Sequence, residues 1–173
     1  FSESPPYVTF RIPSLLLSPK GTLLAFAEAR AAAADQSGND LVLKRSTDGG
    51  RSWQRTHQEP LERMNFTYGY YFSNIRCLPD NPDKVYLLGF YIISSEDGGK
   101  NWKNINGDNV HVDHHALWLH PNRPGHLLNG NDGGLNISWD DGASWIKCNN
   151  PPVAQFYAVA VDDDKTYNVY GGT

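Results

Sequence analysis

The chain has 173 residues, 39% hydrophobic and 20% charged, enough for one globular domain with a sizeable core. A net charge of −4 argues against a nucleic-acid binder, and no apolar run approaches the roughly 20 residues of a membrane-spanning helix. Phe1 is not a natural start and no charged-then-apolar leader opens the chain, so it reads as a mature product or a piece of something longer.

In chain order, the first strand-like segments are "TFRIPSLLLS" and "TLLAFAE", with the turn "PKG" between them. "EARAAAAD" is the only helix candidate and is too short to hold alone. "DLVLKRS" and "WQRT" follow, flanking a tight hairpin. The next unit reads "YYFSNIRCL", "KVYLLGF", "YIISS" and "WKNI". A third reads "HHALWLH", "HLLNG", "LNISW" and "WIKC", and "FYAVAV" with "YNVYGG" begins a fourth. Cys77 and Cys148 fall in different units and are expected to stay unbonded.

Landmarks keep one period. "PDNP" at Pro79 returns as "PNRP" at Pro121, and Gly89, Gly130 and Gly171 are evenly spaced. A repeat in the forties with four strands per unit predicts an all-β propeller of antiparallel blades. The expected blades are 8–57, 70–106, 114–148 and an incomplete 155–173, about three and a half in one domain over 1–173. Such a broken ring is expected to self-associate or to take missing blades from another chain.

One spelling occurs three times: Ser46, Asp48, Gly50, Trp53; then Ser95, Asp97, Gly99, Trp102; then Ser138, Asp140, Gly142, Trp145. The Asp can accept backbone N–H groups across a turn, and Gly allows positive φ. The Trp is expected to bury its ring beside the hairpin. This pattern resembles the Asp-box, the bacterial neuraminidase repeat. The resemblance implies a structural hairpin joining the outer strands of a blade, away from the ligand face.

"FRIPSLL", "LLAFAEAR" and a following Asp resemble the start of sialidases, over roughly residues 7 to 54. The resemblance implies that Arg11 and Arg30 grip the carboxylate of an anionic sugar and that Asp35 is the general acid–base. The family's two further arginines and its Tyr–Glu nucleophile pair are assigned to no residue here. From about Tyr70 the text instead resembles large secreted bacterial propellers of the sortilin-like, neuraminidase-repeat kind, as in a mosaic or chimera joined near residues 55 to 69. Two functions follow as expectations. One is a sialidase-type hydrolase with an incomplete site, inactive in this chain alone. The other is a non-catalytic scaffold that binds sugar or protein. Either role implies secretion, with no cofactor, metal, nucleic acid or membrane involved.

"HVDHH" places His111, Asp113, His114 and His115 together. In an extended strand His111, Asp113 and His115 would share a face. A metal set, an acid–base pair and a polar strand entry all fit that pattern. Asn65 and Asn136 open glycosylation sequons, the second leading into a hairpin strand.

Overall fold

A computed structural model of the chain describes residues 6–34, 38–61, 64, 74–149 and 158–172. Three four-stranded antiparallel sheets follow one another, each a blade with its strands in sequence order. Blade 1 holds β1 (Thr9–Leu17), β2 (Leu23–Arg30), β3 (Asn39–Ser46) and β4 (Gln54–Arg55). Blade 2 holds β5 (Asn74–Cys77), β6 (Val85–Leu88), β7 (Ile92–Ser95) and β8 (Lys103–Asn104). Blade 3 holds β9 (His114–Leu119), β10 (Leu127–Asn131), β11 (Gly134–Ser138) and β12 (Ile146–Cys148). A two-stranded hairpin, β13 (Ala158–Val161) and β14 (Val169–Gly172), comes last. The fold is all-β, as the repeat predicts. Cys77 and Cys148 are unbonded.

The blades stack through side chains that alternate along each strand. In β6, Val85 and Leu87 point toward blade 1, where they meet Leu24, Phe26, Leu41 and Leu43. Tyr86 and Leu88 point the other way, into a second core with Leu117, Leu127 and Trp145 of blade 3. Blade 2 is therefore apolar on both faces, which explains its unbroken hydrophobic runs. Each of these leucines, removed fully from water, contributes about 1.5–3 kcal/mol.

The three hairpins between the third and fourth strands share one hydrogen-bond scheme. Ser46, Ser95 and Ser138 each donate Oγ–H to the Asp two residues on, at 2.8, 2.8 and 2.9 Å. The same oxygens accept N–H of Gly50, Gly99 and Gly142 at 2.9, 2.9 and 2.8 Å. Asp48, Asp97 and Asp140 also accept the backbone N–H of Ser52, Asn101 and Ser144. These donors hold the carboxylates charged, and Asp97 titrates at about 2, chiefly because of the Asn101 N–H. Asp48 and Asp140 are shifted the same way, each by its serine partner first.

The tryptophans differ from the expectation of three buried rings. Trp145 is 6% exposed and its indole N–H donates to Ile105 O of blade 2 at 2.7 Å. Trp102 is half-buried against the core between blades 1 and 2. Trp53 is 37% exposed, because its ring needs a preceding blade and none lies there among the described residues. The indole N–H of Trp53 and Trp102 instead turns back on the carbonyls of Gly50 and Gly99, both at 3.0 Å.

The motif glycines follow the same logic. A Cβ on Gly99 would lie 2.7 Å from Leu43 and 3.1 Å from Thr56 of blade 1. One on Gly142 would lie 2.8 Å from Ile105 of blade 2. Gly50 meets only its own blade, at 3.4 Å from Leu23. All three have φ between 81 and 92°. Gly142→Ala is therefore expected to lower stability by about 2–4 kcal/mol, strained backbone plus overpacking. Gly50→Ala, with strained backbone alone, should cost only about 1 kcal/mol. Urea midpoints of the two variants check this, and equal losses would refute the inter-blade role of Gly142.

Acid should loosen the same hairpins. The folded pKa of Asp97 lies below its unfolded value of 3.8, so its contribution is present above about pH 4 and disappears as pH falls toward 2. Asp97→Asn should lower stability at pH 7 and flatten the loss between pH 4 and 2, as read from urea midpoints at each pH.

Candidate functional site

Arg11 and Arg30 come together through the ladder of blade 1. Thr9 pairs with Arg30 and Arg11 with Glu28, so Arg11, Glu28 and Arg30 lie on one sheet face at one end of the blade. The register then slips between Arg11 and Ser14. Ile12 takes φ 53° there and Pro13 has no N–H to lose from the ladder, so "RIP" forms a β-bulge. A bulge shifts the facing of residues on one side of it relative to the other. Without it, Arg11 would share its face with Leu15 and Leu17 rather than with Leu16 and Ser14.

The two arginines differ in environment. Arg11 is exposed on the first strand. Arg30 is 1% exposed, and its guanidinium grips Glu28 Oε2 through Nε at 2.7 Å and Nη2 at 2.6 Å. Glu28 Oε1 accepts Asn39 Nδ2–H at 3.0 Å. Charge burial of this kind is tolerated only when both ions are hydrogen-bonded, so Glu28 fixes where Arg30 sits. Glu28 belongs to no catalytic motif in the sequence. Its alternation with Arg30 along one strand was the available signal. Asp35 lies outside the described residues.

On the other face of blade 1, Tyr7 donates its hydroxyl to Asp40 and packs edge-on against Phe10. Burial first, and then that carboxylate, push the Tyr7 hydroxyl up to about 12.

Blade 3 carries polar groups at the corresponding strand end, where His114 pairs with Asn131. His111 precedes the strand and Asp113 has φ 64°, so the expected alternation of His111, Asp113 and His115 on one face does not occur. His114 is fully buried between Asn129 Oδ1 at 2.9 Å and Asn106 Oδ1 at 2.6 Å. Burial lowers its pKa to about 4. It ties blade 3 to the end of blade 2, a structural role. His115 Nε2 lies 2.7 Å from Asp132 Oδ1 at the surface. Asp113 is raised, first by burial and then by Asp132. Among the described residues no three His, Cys, Asp or Glu side chains are grouped to hold a metal. Asn136 is buried in β11, and Asn65 lies outside the described residues.

At the opposite end, a polar cleft of about 490 Å³ separates the first two hairpins. Arg45 crosses its floor to pair with Asp83. Between blades 2 and 3, Lys84 holds Glu96 and Asp141, and Tyr86 donates to Asp141 at 2.5 Å. These charges pin blades together, and their cations are already committed to carboxylates.

No family model matches the chain. It is 44% identical over 48 residues to a sialidase of Micromonospora viridifaciens, a stretch covering 27% of this chain and 7% of that protein. It is 32% identical over 104 residues to Sialidase-3 of Rattus norvegicus, covering 60% of this chain and 24% of that protein. The chain thus spans about a quarter or less of the curated relatives it matches. Among solved structures, a GH74 enzyme of Niastella koreensis aligns with TM-score 0.59 at 15% identity, over 77% of this chain and 22% of that one. A GH74 xyloglucanase from Xanthomonas campestris aligns with TM-score 0.58 at 15% identity, over 86% and 25%. The blades match propeller enzymes over part of their length, and the sequence resembles sialidases in part.

Proposed function

We propose that the chain is part of a carbohydrate-active propeller of the sialidase type, with Arg11 and Arg30 receiving the carboxylate of an anionic sugar. The observation that carries this is the "RIP" bulge, which puts the two guanidinium-bearing residues on one face at one blade end. The local identity to two sialidases supports it. Guanidinium groups bind carboxylates through paired, charge-assisted hydrogen bonds and keep their charge at any working pH. In this reading Asp35 protonates the leaving glycosidic oxygen and then activates water. The three Ser-x-Asp-x-Gly-x-x-Trp hairpins are structural Asp-boxes on the far side. The protein works outside the cell, where such sugars are displayed, and needs no cofactor.

The alternative is a propeller that binds sugar or protein without turnover. The burial of Arg30 and its bond to Glu28 favour it, because they leave less of the guanidinium for a ligand. The unassigned arginines and nucleophile point the same way for this chain alone.

The two readings separate in one pair of measurements. A fluorogenic sialoside assay and sialic acid titration by NMR are run on the chain and on Arg11→Ala, whose exposed parent side chain makes unfolding a small risk. The expected result is no turnover, with Kd of about 1–10 mM, weakened at least tenfold by Arg11→Ala. Turnover abolished by Asp35→Asn would establish the hydrolase. Absence of any binding at that concentration would refute the anionic-sugar site.

A further inference from the structure

Among the described residues, nothing packs over one face of blade 3. Trp118, Leu128, Ile137 and Ile146 pair successively across its four strands and so form one apolar row on one face. Trp118 and Ile146 are exposed, as is Trp139 beside them, with His126 stacked on Trp139 at 3.9 Å. Two exposed tryptophans would suit a sugar-stacking platform. The repeat gives the row a different meaning. In blade 2 the matching row is Arg76, Tyr86, Ser94 and Lys103. That face of blade 2 is the one covered by blade 3, through Leu117 and Leu127. The open row of blade 3 is thus a blade-stacking surface.

Its partner can be read from the same register. β13 and β14 begin 42 residues after Ala116 and Leu127 of blade 3. The pairing of Val161 with Val169 repeats that of Leu119 with Leu127. Val159 and Val169 therefore occupy the positions of Leu117 and Leu127, the residues with which a blade covers its predecessor. Both are 63% exposed, and every residue of the two strands is exposed. A lone two-stranded hairpin is marginal in water and gains stability only by packing. Two complementary apolar surfaces thus sit on one chain, with residues 149–157 joining them. A connection this short gives a millimolar effective concentration, roughly a thousandfold above a second copy at micromolar protein.

We propose that the β13–β14 hairpin docks on blade 3 of its own chain, Val159 and Val169 closing over the Trp118–Leu128 row, as the inner half of a fourth blade. This is independent of the sugar-binding reading. The test joins Leu128→Cys to Val159→Cys in a Cys77→Ser, Cys148→Ser background and treats about 1 µM protein with a short bismaleimide. The expected product is an internally linked monomer, which the tether favours over linked dimer by roughly a thousandfold. It identifies the hairpin of the same chain as the occupant, and amide exchange reads whether that hairpin stays docked. Each single-cysteine control should give none. Linked dimers as the main product would mean that a second copy covers the face, and no linkage would mean that nothing from this chain does. Either result overturns the proposal.

Hydrogen exchange on the unaltered chain gives a second reading that no substitution can spoil. Docking predicts amide protection in β13 and β14 of at least about a hundredfold, unchanged by tenfold dilution. Exchange at nearly unprotected rates, or protection that falls on dilution, would overturn the proposal.

Discussion

A sheet that is apolar on both faces can be kept from water only by a sheet on each side. Blade 2 meets this condition in full, with Val85 and Leu87 buried against one neighbour and Tyr86 and Leu88 against the other. Much else in the molecule serves that stacking. Sheets come close enough to exclude water only where nothing protrudes between them. The hairpin glycines therefore stand where one unit touches the last, Gly99 on Leu43 and Gly142 on Ile105. The repeated spelling encodes two things at once, a turn that needs positive φ and a contact that has no room for a side chain. The second requirement does not apply to Gly50, which meets only its own blade, so the first hairpin keeps the spelling for the turn alone.

The rim of the stack adds direction. Lys84 is nearly buried and would be costly there without partners, yet it gathers Glu96 from its own blade and Asp141 from the next. Asp141 stands where the first two hairpins have Gly49 and Gly98, and it keeps their left-handed backbone at φ 63°. Asp tolerates that region better than most residues, at some strain. Its carboxylate, locked by Lys84 and Tyr86, offsets the strain and ties blade 3 to blade 2. A glycine would relax the turn and lose the clamp. The same exchange of backbone ease for a side-chain contact occurs at the top of blade 1. There Ile12 is left-handed in a bulge that sets the facing of Arg11.

The fold was legible because period and alternation are properties of the chain alone. Tyr86 and Leu87 sit side by side in the text, and two-faced burial is the simplest home for such a run. The site was less legible because its geometry is set by exceptions to alternation. Asp113 breaks the strand phase that would have aligned His111, Asp113 and His115. Trp53 carries the motif but lacks the surface that buries Trp145. Glu28 looked like one more strand residue, although it decides the placement of Arg30. Asp35, outside the described residues, remains an expectation from resemblance.

The burial of Arg30 also bears on how such a protein would bind an anion. A guanidinium in water is flexible and hydrated, and a ligand must displace that water and arrest that motion. Here Glu28 has already done both, holding Nε and Nη2 on one side. The cost of desolvation was met on folding, within the blade, by the carboxylate that neutralises it. The arrangement trades net charge for fixed geometry. Attraction to a carboxylate is weaker than that of a bare arginine, while the plane of the guanidinium is fixed. Arg11, exposed on the neighbouring strand, adds a charge that is not buried. One blade thus holds one buried and one exposed guanidinium on the same face. Strong binding requires more such donors converging from other blades, because a single blade end surrounds only one side of a sugar. The affinity of a propeller for its ligand is in this sense a property of the stack, and the interactions that hold blade on blade are also those that bring a site together.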